Sequence, residues 1–207
     1  MKTFVEEILA DIEWRTSELA TLKSIPIRYS FSPDHKDLHI KYSVPAIYSI
    51  WEGFVKNCFT IYSNHLNTLS LSRTDISYAL LTHQIDSECD FNNPRVHFDT
   101  KKKLVESLDE LFNDTITIKP MVPTESNVNL KVLNRILERF CIPEIDSKYS
   151  SGLNKLLLFR NKIAHGENSI IVNMTHVTEF VSLVENLMLD VVIGVESCER
   201  NETFKKN

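Results

Sequence analysis

The sequence predicts an all-α protein, a helical bundle, on three observations. Glycine occurs 4 times and proline 7 times in 207 residues, too few for a turn-rich β fold or a disordered chain. Apolar residues recur every three to four positions over long windows, the helical period. The one markedly β-branched stretch, DTITIKPMVPTE (114–125), is short and broken by proline. A chain of this length can build one substantial core. A single domain over 1–207 is expected, with its core over about 44–195 and an N-terminal helix and connector over 1–43.

Thr3-x-x-Glu6 is a capping box. Phe4, Ile8, Leu9, Ile12, Leu19 and Leu22 follow at helical spacing, so a helix is predicted over 3–23. Residues 24–43 (SIPIRYSFSPDHKDLHIKYS) hold two prolines and alternate polar with aromatic residues. They read as a connector with room for a short strand. Pro45 suits a first helical position, which makes 45–69 the strongest helix. Its apolar set, from Ile47 to Leu66, spans half the circumference or more, as a central bundle helix requires.

A weaker helix is expected after Thr74 and another from about Asp99. Residues 114–125 read as a loop or a short extended segment. Ser126 opens a predicted helix to about Cys141, closed by Pro143. Another runs from about Ser150 to Gly166. Thr175 is the expected cap of the last helix, which carries Val177, Phe180, Val181, Val184, Leu187 and Val191 on one side. The tail ERNETFKKN is polar and is expected to fray.

The net charge of −5 gives no global basic field for nucleic acid, so any phosphate contact must be local. Cys58, Cys89, Cys141 and Cys198 lie far apart, without zinc spacing, and read as reduced thiols of a cytoplasmic protein. The N-terminus is acidic and lacks a signal-peptide core, and no apolar run reaches membrane-spanning length. A soluble protein without a membrane partner is expected. His35 and His39 have the spacing of a metal pair but lack further ligands, so no metal and no cofactor is expected. A glycine-rich phosphate loop and a serine-hydrolase elbow are both missing.

The stretch KLLLFRNKIAHGEN (155–168) holds the main candidates. Arg160 falls in the middle of the arc formed by Leu153, Leu156, Leu157, Phe159, Ile163 and Ala164. Gly166 looks like the residue that ends the helix, and Lys162 and His165 then suit the dipole of a last turn. That account leaves Arg160 unexplained. A guanidinium aimed at a core needs an acidic partner or a polar cleft, and Glu52 is a candidate partner. Its alternative is a solvated glutamate at the edge of a polar face. An arginine, an amide and an imidazole in one hollow can move a phosphodiester with the 2′-hydroxyl of RNA as nucleophile.

Lys131, Arg135 and Arg139 recur every four residues and could track an RNA backbone, although a merely solvated face explains them too. Lys162 is a further weak candidate for substrate contact. Lys101-Lys102-Lys103 sits in the first turn of its predicted helix, where positive charge is mildly unfavourable.

Arg160-Asn161-x-x-x-His165 resembles the R-x(4–6)-H signature of the HEPN superfamily. The segment AIYSIWEGFVKN (46–57) is similar to the aromatic-Trp-Glu-Gly-Phe helix of its stand-alone MAE-type group, and TESNVNLKVLNRILERFCI (124–142) fits that group as well. The resemblance covers most of 44–195. It implies a metal-independent endoribonuclease with a bundle fold, a homodimer whose two motif copies form one composite site. His165 would be the acid/base, Arg160 the phosphate clamp, Asn161 the orienting polar group, and Glu52 a supporting residue. Products would carry 2′,3′-cyclic phosphate and 5′-hydroxyl ends. Such proteins are typically toxins with a cognate antitoxin, or abortive-infection effectors acting on RNA. Other members keep the fold as non-catalytic interaction modules or nucleotide-binding accessories, and that reading stays open.

Overall fold

The computed structural model describes residues 3–88, 99, 101–106, 116–120, 122, 124, 127–167 and 169–206. The fold is all-α. Its elements are α1 (Phe4–Arg28), α2 (Pro33–Thr68), α3 (Tyr78–Glu88), α4 (Leu130–Arg139), α5 (Ser150–Ala164) and α6 (Met174–Asn201), with a 3₁₀ turn at Ser147–Tyr149. Residues 99 and 101–106 are helical as well. Among the described residues there is no strand, only an isolated bridge between Ile76 and Lys205.

Helix α1 starts on its capping box: the Thr3 hydroxyl accepts from the Glu6 N–H at 3.2 Å, and the Thr3 N–H donates to Glu6 Oε2 at 2.7 Å. The helix then runs through Pro26 to Arg28, where a connector was expected. Proline leaves the carbonyl four residues back without its helical donor. That carbonyl belongs to Leu22, and His39 Nε2 of α2 donates to it at 3.1 Å. A side chain from the next helix thus makes the proline tolerable.

The expected start at Pro45 is displaced in the same way. Helix α2 begins at Pro33 in the N1 position, capped by Ser32, and passes through Pro45. Ile40, Val44 and Ile47, at helical spacing across that proline, are all buried. Tertiary burial outweighs the local breaker.

Helix α2 is the centre of the bundle, with Tyr48, Trp51, Phe54, Phe59 and Tyr62 fully buried on it. It runs antiparallel to α1: Phe4 stacks on His65 at 4.0 Å, Arg15 bonds the Ile50 carbonyl, and Leu22 meets His39. Helix α6 brings Cys198 to Tyr62 and Glu199 to His65. Helix α5 lies antiparallel to α6, with Tyr149 bonded to Asp190 and Phe159 packed on Phe180. The C-terminus of α5, the N-terminus of α6 and the α1–α2 turn therefore share one end of the bundle.

Three further boundaries differ from expectation. Helix α4 is capped by Asn129, whose Oδ1 accepts from Val132 N–H at 2.9 Å. It begins at Leu130, and Ser126 lies outside the described residues. Helix α6 is capped by Asn173 with His176 in a reciprocal box, not by Thr175. The tail does not fray over 202–206. Phe204 is 1% exposed, its carbonyl accepts from Ser77 N–H at 2.8 Å, and Lys206 N–H donates to the Asp75 carbonyl. One apolar side chain in a polar tail was enough to dock it.

Cys58 and Cys198 are buried free thiols and Cys141 is partly buried, while Cys89 lies outside the described residues. Burial pushes the Cys58 thiol up, as expected of an inert core cysteine.

Candidate active site

The site is built on the last turn of α5 and the face of α2 beneath it. Leu153, Leu156, Leu157 and Ile163 are buried, and Arg160 stands three or four residues from the last three. Helical spacing thus points Arg160 at α2. Ala164, counted on the apolar side in the sequence, is exposed.

Arg160 is partly buried and lies over the ring of Tyr48, its Cζ 4.8 Å from the ring centroid. Its Nη1 donates to Asn161 Oδ1 at 2.8 Å. The expected partner does not take it: Glu52 bonds Lys56 Nζ at 2.7 Å, one turn along α2. Among the described residues no carboxylate pairs with Arg160. The guanidinium is stacked and hydrogen-bonded but not neutralised, and its remaining donors keep their charge-assisted strength for a ligand.

Tyr48 is the residue that sequence reasoning left among the core. Its hydroxyl accepts from Val128 N–H at 2.9 Å, and Trp51 Nε1–H donates to the carbonyl of the same Val128 at 3.0 Å. Two side chains of α2 therefore hold segment 127–129 by both polar groups of one residue. Burial raises the Tyr48 pKa, the bond from Val128 opposes this, Glu52 raises it further and Arg160 lowers it. The phenol thus lies within the field of both Glu52 and Arg160. The signal in the sequence was Tyr48's place one turn before Glu52.

The end of α5 is tightly defined. Gly166 N–H donates to the Ile163 carbonyl and Glu167 N–H to that of Lys162, at 3.0 and 2.9 Å. This is a Schellman closure, and Gly166 has φ +75, the left-handed conformation that glycine adopts without strain. His165 is the C-cap, its N–H bonded to the Asn161 carbonyl, and its ring is exposed. Among the described residues nothing bonds to that ring. The Asn161 amide oxygen faces Arg160, so in this chain Asn161 orients the guanidinium and not the imidazole. Its amide N–H₂ stays available to a ligand.

The weaker candidates separate. Arg139 is bound to Asp86 at 2.6 Å and approaches His83 Nδ1 at 3.5 Å, tying α4 to α3. Arg135 lies with it at a cleft between these helices and Lys131 is exposed, so the stripe is not a free basic face. Lys162 meets Glu167 at 3.5 Å beside the motif. Lys101, Lys102 and Lys103 are exposed, with Lys102 near Glu106 at 3.5 Å. His39 is committed to Leu22 and His35 is exposed. Among the described residues no three His, Cys, Asp or Glu side chains gather as a metal set, and no helix is long and apolar enough to cross a membrane.

The buried ion pair expected for Arg160 exists elsewhere. Arg15 and Asp11, 7% and 8% exposed, form a two-bond pair at 2.7 and 3.2 Å within α1, and Arg15 Nη1 also reaches the Ile50 carbonyl at 3.0 Å. A Cβ at Gly53 would come within 2.9 Å of that nitrogen. This explains Trp-Glu-Gly-Phe locally: Trp51 holds Val128, and Gly53 admits Arg15.

No solved structure and no curated protein matches the chain. A family model described as HEPN_MAE_28990-like HEPN matches residues 4–204, well beyond the 44–195 covered by the sequence resemblance and including α1. With α1 in the core, the match spans every described helix. The chain belongs to the MAE-type HEPN family.

Proposed function

We propose that this protein is a metal-independent endoribonuclease acting through Arg160, Asn161 and His165. One observation carries the reading: a partly buried guanidinium is fixed by Tyr48 and Asn161 but has no carboxylate among the described residues, and five residues on, at the helix C-cap, stands an exposed imidazole whose ring has no partner among them. A structural arginine would be neutralised, as Arg15 is by Asp11. Membership of the HEPN superfamily supports the same reading.

In the proposed reaction the ribose 2′-hydroxyl attacks the adjacent phosphorus. Its proton passes to a base, the P–O5′ bond breaks, and the departing 5′-oxygen receives a proton. The products carry a 2′,3′-cyclic phosphate and a 5′-hydroxyl. Arg160 binds two non-bridging oxygens and stabilises the charge that builds on them. The Asn161 N–H₂ adds a donor. His165 supplies one proton transfer, a role suited to an imidazole near neutral pH. The second fits the same ring of a partner copy in a homodimer, because nothing among the described residues of this chain orients the His165 ring. Lys162 adds local positive charge, and Glu52 supports the site through Tyr48.

RNA digestion in EDTA tests this. The wild type cuts, and His165→Ala loses about 10²–10⁴-fold in rate with an unchanged melting temperature. Growth arrest on induction of the wild-type gene, absent with His165→Ala, would place the activity in a toxin or abortive-infection role and prompt a search for an antitoxin. The second reading, a non-catalytic interaction or nucleotide-binding module, draws on the Arg160–Tyr48 stack as a purely structural contact. It expects intact RNA after long incubation and a silent His165→Ala.

A further inference from the structure

The α1–α2 turn carries a surface that neither the core nor the motif uses. Tyr29 and Tyr42 are 64% and 56% exposed, and Phe31 is 38% exposed. Tyr29 and Phe31 have ring centroids 6.4 Å apart, and Phe31 stacks on His39 at 6.1 Å with a 15° interplanar angle. His39 is fixed in place by its bond to Leu22, and Tyr42 stands one turn further along the same side of α2. The rings thus form a row at the turn end of α2, and Tyr48 lies six residues and about 9 Å of helix rise beyond Tyr42, about 120° round the helix. Arg28 and Lys36 flank the row and are exposed, and among the described residues neither is in an ion pair. Residues 23–42 hold four lysines and arginines against two aspartates, a basic island in a chain of net charge −5.

We infer that this aromatic, cationic turn is a binding platform for single-stranded RNA, which it leads to the α5 terminus at the same end of the bundle. The inference takes its ligand class from the ribonuclease reading. Exposed rings stack on any base, and interleaved cations meet the phosphates, the combination that unpaired strands require. A protein interface would also favour the rings and Arg28, but its core is depleted of lysine and aspartate, which this turn carries as Lys36, Asp34 and Asp37. Insertion into lipid would carry Asp34 and Asp37 in with the rings, whereas a strand lying across the rings leaves both carboxylates in water.

The test is fluorescence anisotropy with a short labelled 2′-O-methyl oligouridylate, which lacks the nucleophile and reports binding without cleavage. Tyr29→Ala and Tyr42→Ala should each weaken binding about tenfold, with melting temperature and sedimentation unchanged. Tyr29→Phe and Tyr42→Phe should keep wild-type affinity. Arg28→Gln with Lys36→Gln should lower the salt dependence of binding. Unchanged affinity in the double alanine variant overturns the proposal. So does self-association that the alanines abolish while oligonucleotide affinity stays, or capture by anionic vesicles without oligonucleotide binding. If the oligonucleotide binds through the rings while an ordinary RNA strand survives, the platform stands and the ribonuclease reading falls. If the double alanine variant cuts RNA with unchanged kcat/KM, the platform falls alone.

Discussion

At the scale of single residues, the protein contrasts two arginines. Arg15 is buried and neutralised by Asp11, and a Gly53 hydrogen leaves room for its tip. Arg160 is partly buried, rests on a phenol and keeps its charge. Removing one partner of a buried pair leaves an uncompensated charge. Asp11→Ala should therefore cost about 3–5 kcal/mol in urea unfolding and leave any cleavage by the folded fraction intact. Arg160→Lys should do the reverse. Lysine keeps the charge but loses the planar fork that grips a phosphate. A fall of about a hundredfold in kcat is expected, with a stability loss below about 1 kcal/mol, the size of an exposed cation–π contact. Equal stability losses for the two variants would mean that Arg160 is structural.

At the scale of elements, what decided each boundary was whether the signals were local. The Thr3 box and the Gly166 closure lie within a few residues of the helices they bound, and both were legible in the sequence. The connector read over 24–43 shrinks to 29–32, and α1 runs on through Pro26 because the acceptor left by that proline is met from another helix, by His39. No local pattern contains that bond. It predicts non-additivity. His39→Ala should cost about 1 kcal/mol in the native background and markedly less in Pro26→Ala, where the backbone N–H of residue 26 returns to Leu22. A double-mutant cycle in urea reads the coupling, and strictly additive losses would contradict it. The caps of α4 and α6 were missed for a smaller reason. Asn129 and Asn173 compete with nearby Ser126 and Thr175, and propensity alone does not rank such neighbours.

At the scale of the whole molecule, the core, the site and the tail are linked through α2. The all-α class, the central helix and the Arg–Asn–His phrase could be read from periodicity and spacing. The Tyr48 platform and the docking of Phe204 could not, since both depend on contacts between distant segments. The α3–α4 seam adds a pH dependence. His83 is 1% exposed and donates through Nε2 to the Lys119 carbonyl, while Arg139 faces its other nitrogen. Burial first, and then Arg139, hold its pKa below the ordinary imidazole value, with Lys119 and Asp86 opposing. The unfolded chain therefore binds the proton more readily. This contribution to stability is complete above about pH 6.5 and is lost as pH falls through the depressed folded value. Urea melts should show stability declining below that pH, and His83→Gln should flatten the decline.

In the proposed function, Arg160 and His165 cleave RNA through its own 2′-hydroxyl. Digestion of an RNA strand in EDTA by wild type and His165→Ala, with analysis of the product ends, tests it most directly. The wild type should give 2′,3′-cyclic phosphate and 5′-hydroxyl ends, and the variant should cut about 10²–10⁴-fold more slowly. Intact RNA with folded wild type, or equal cutting by folded His165→Ala, would contradict it.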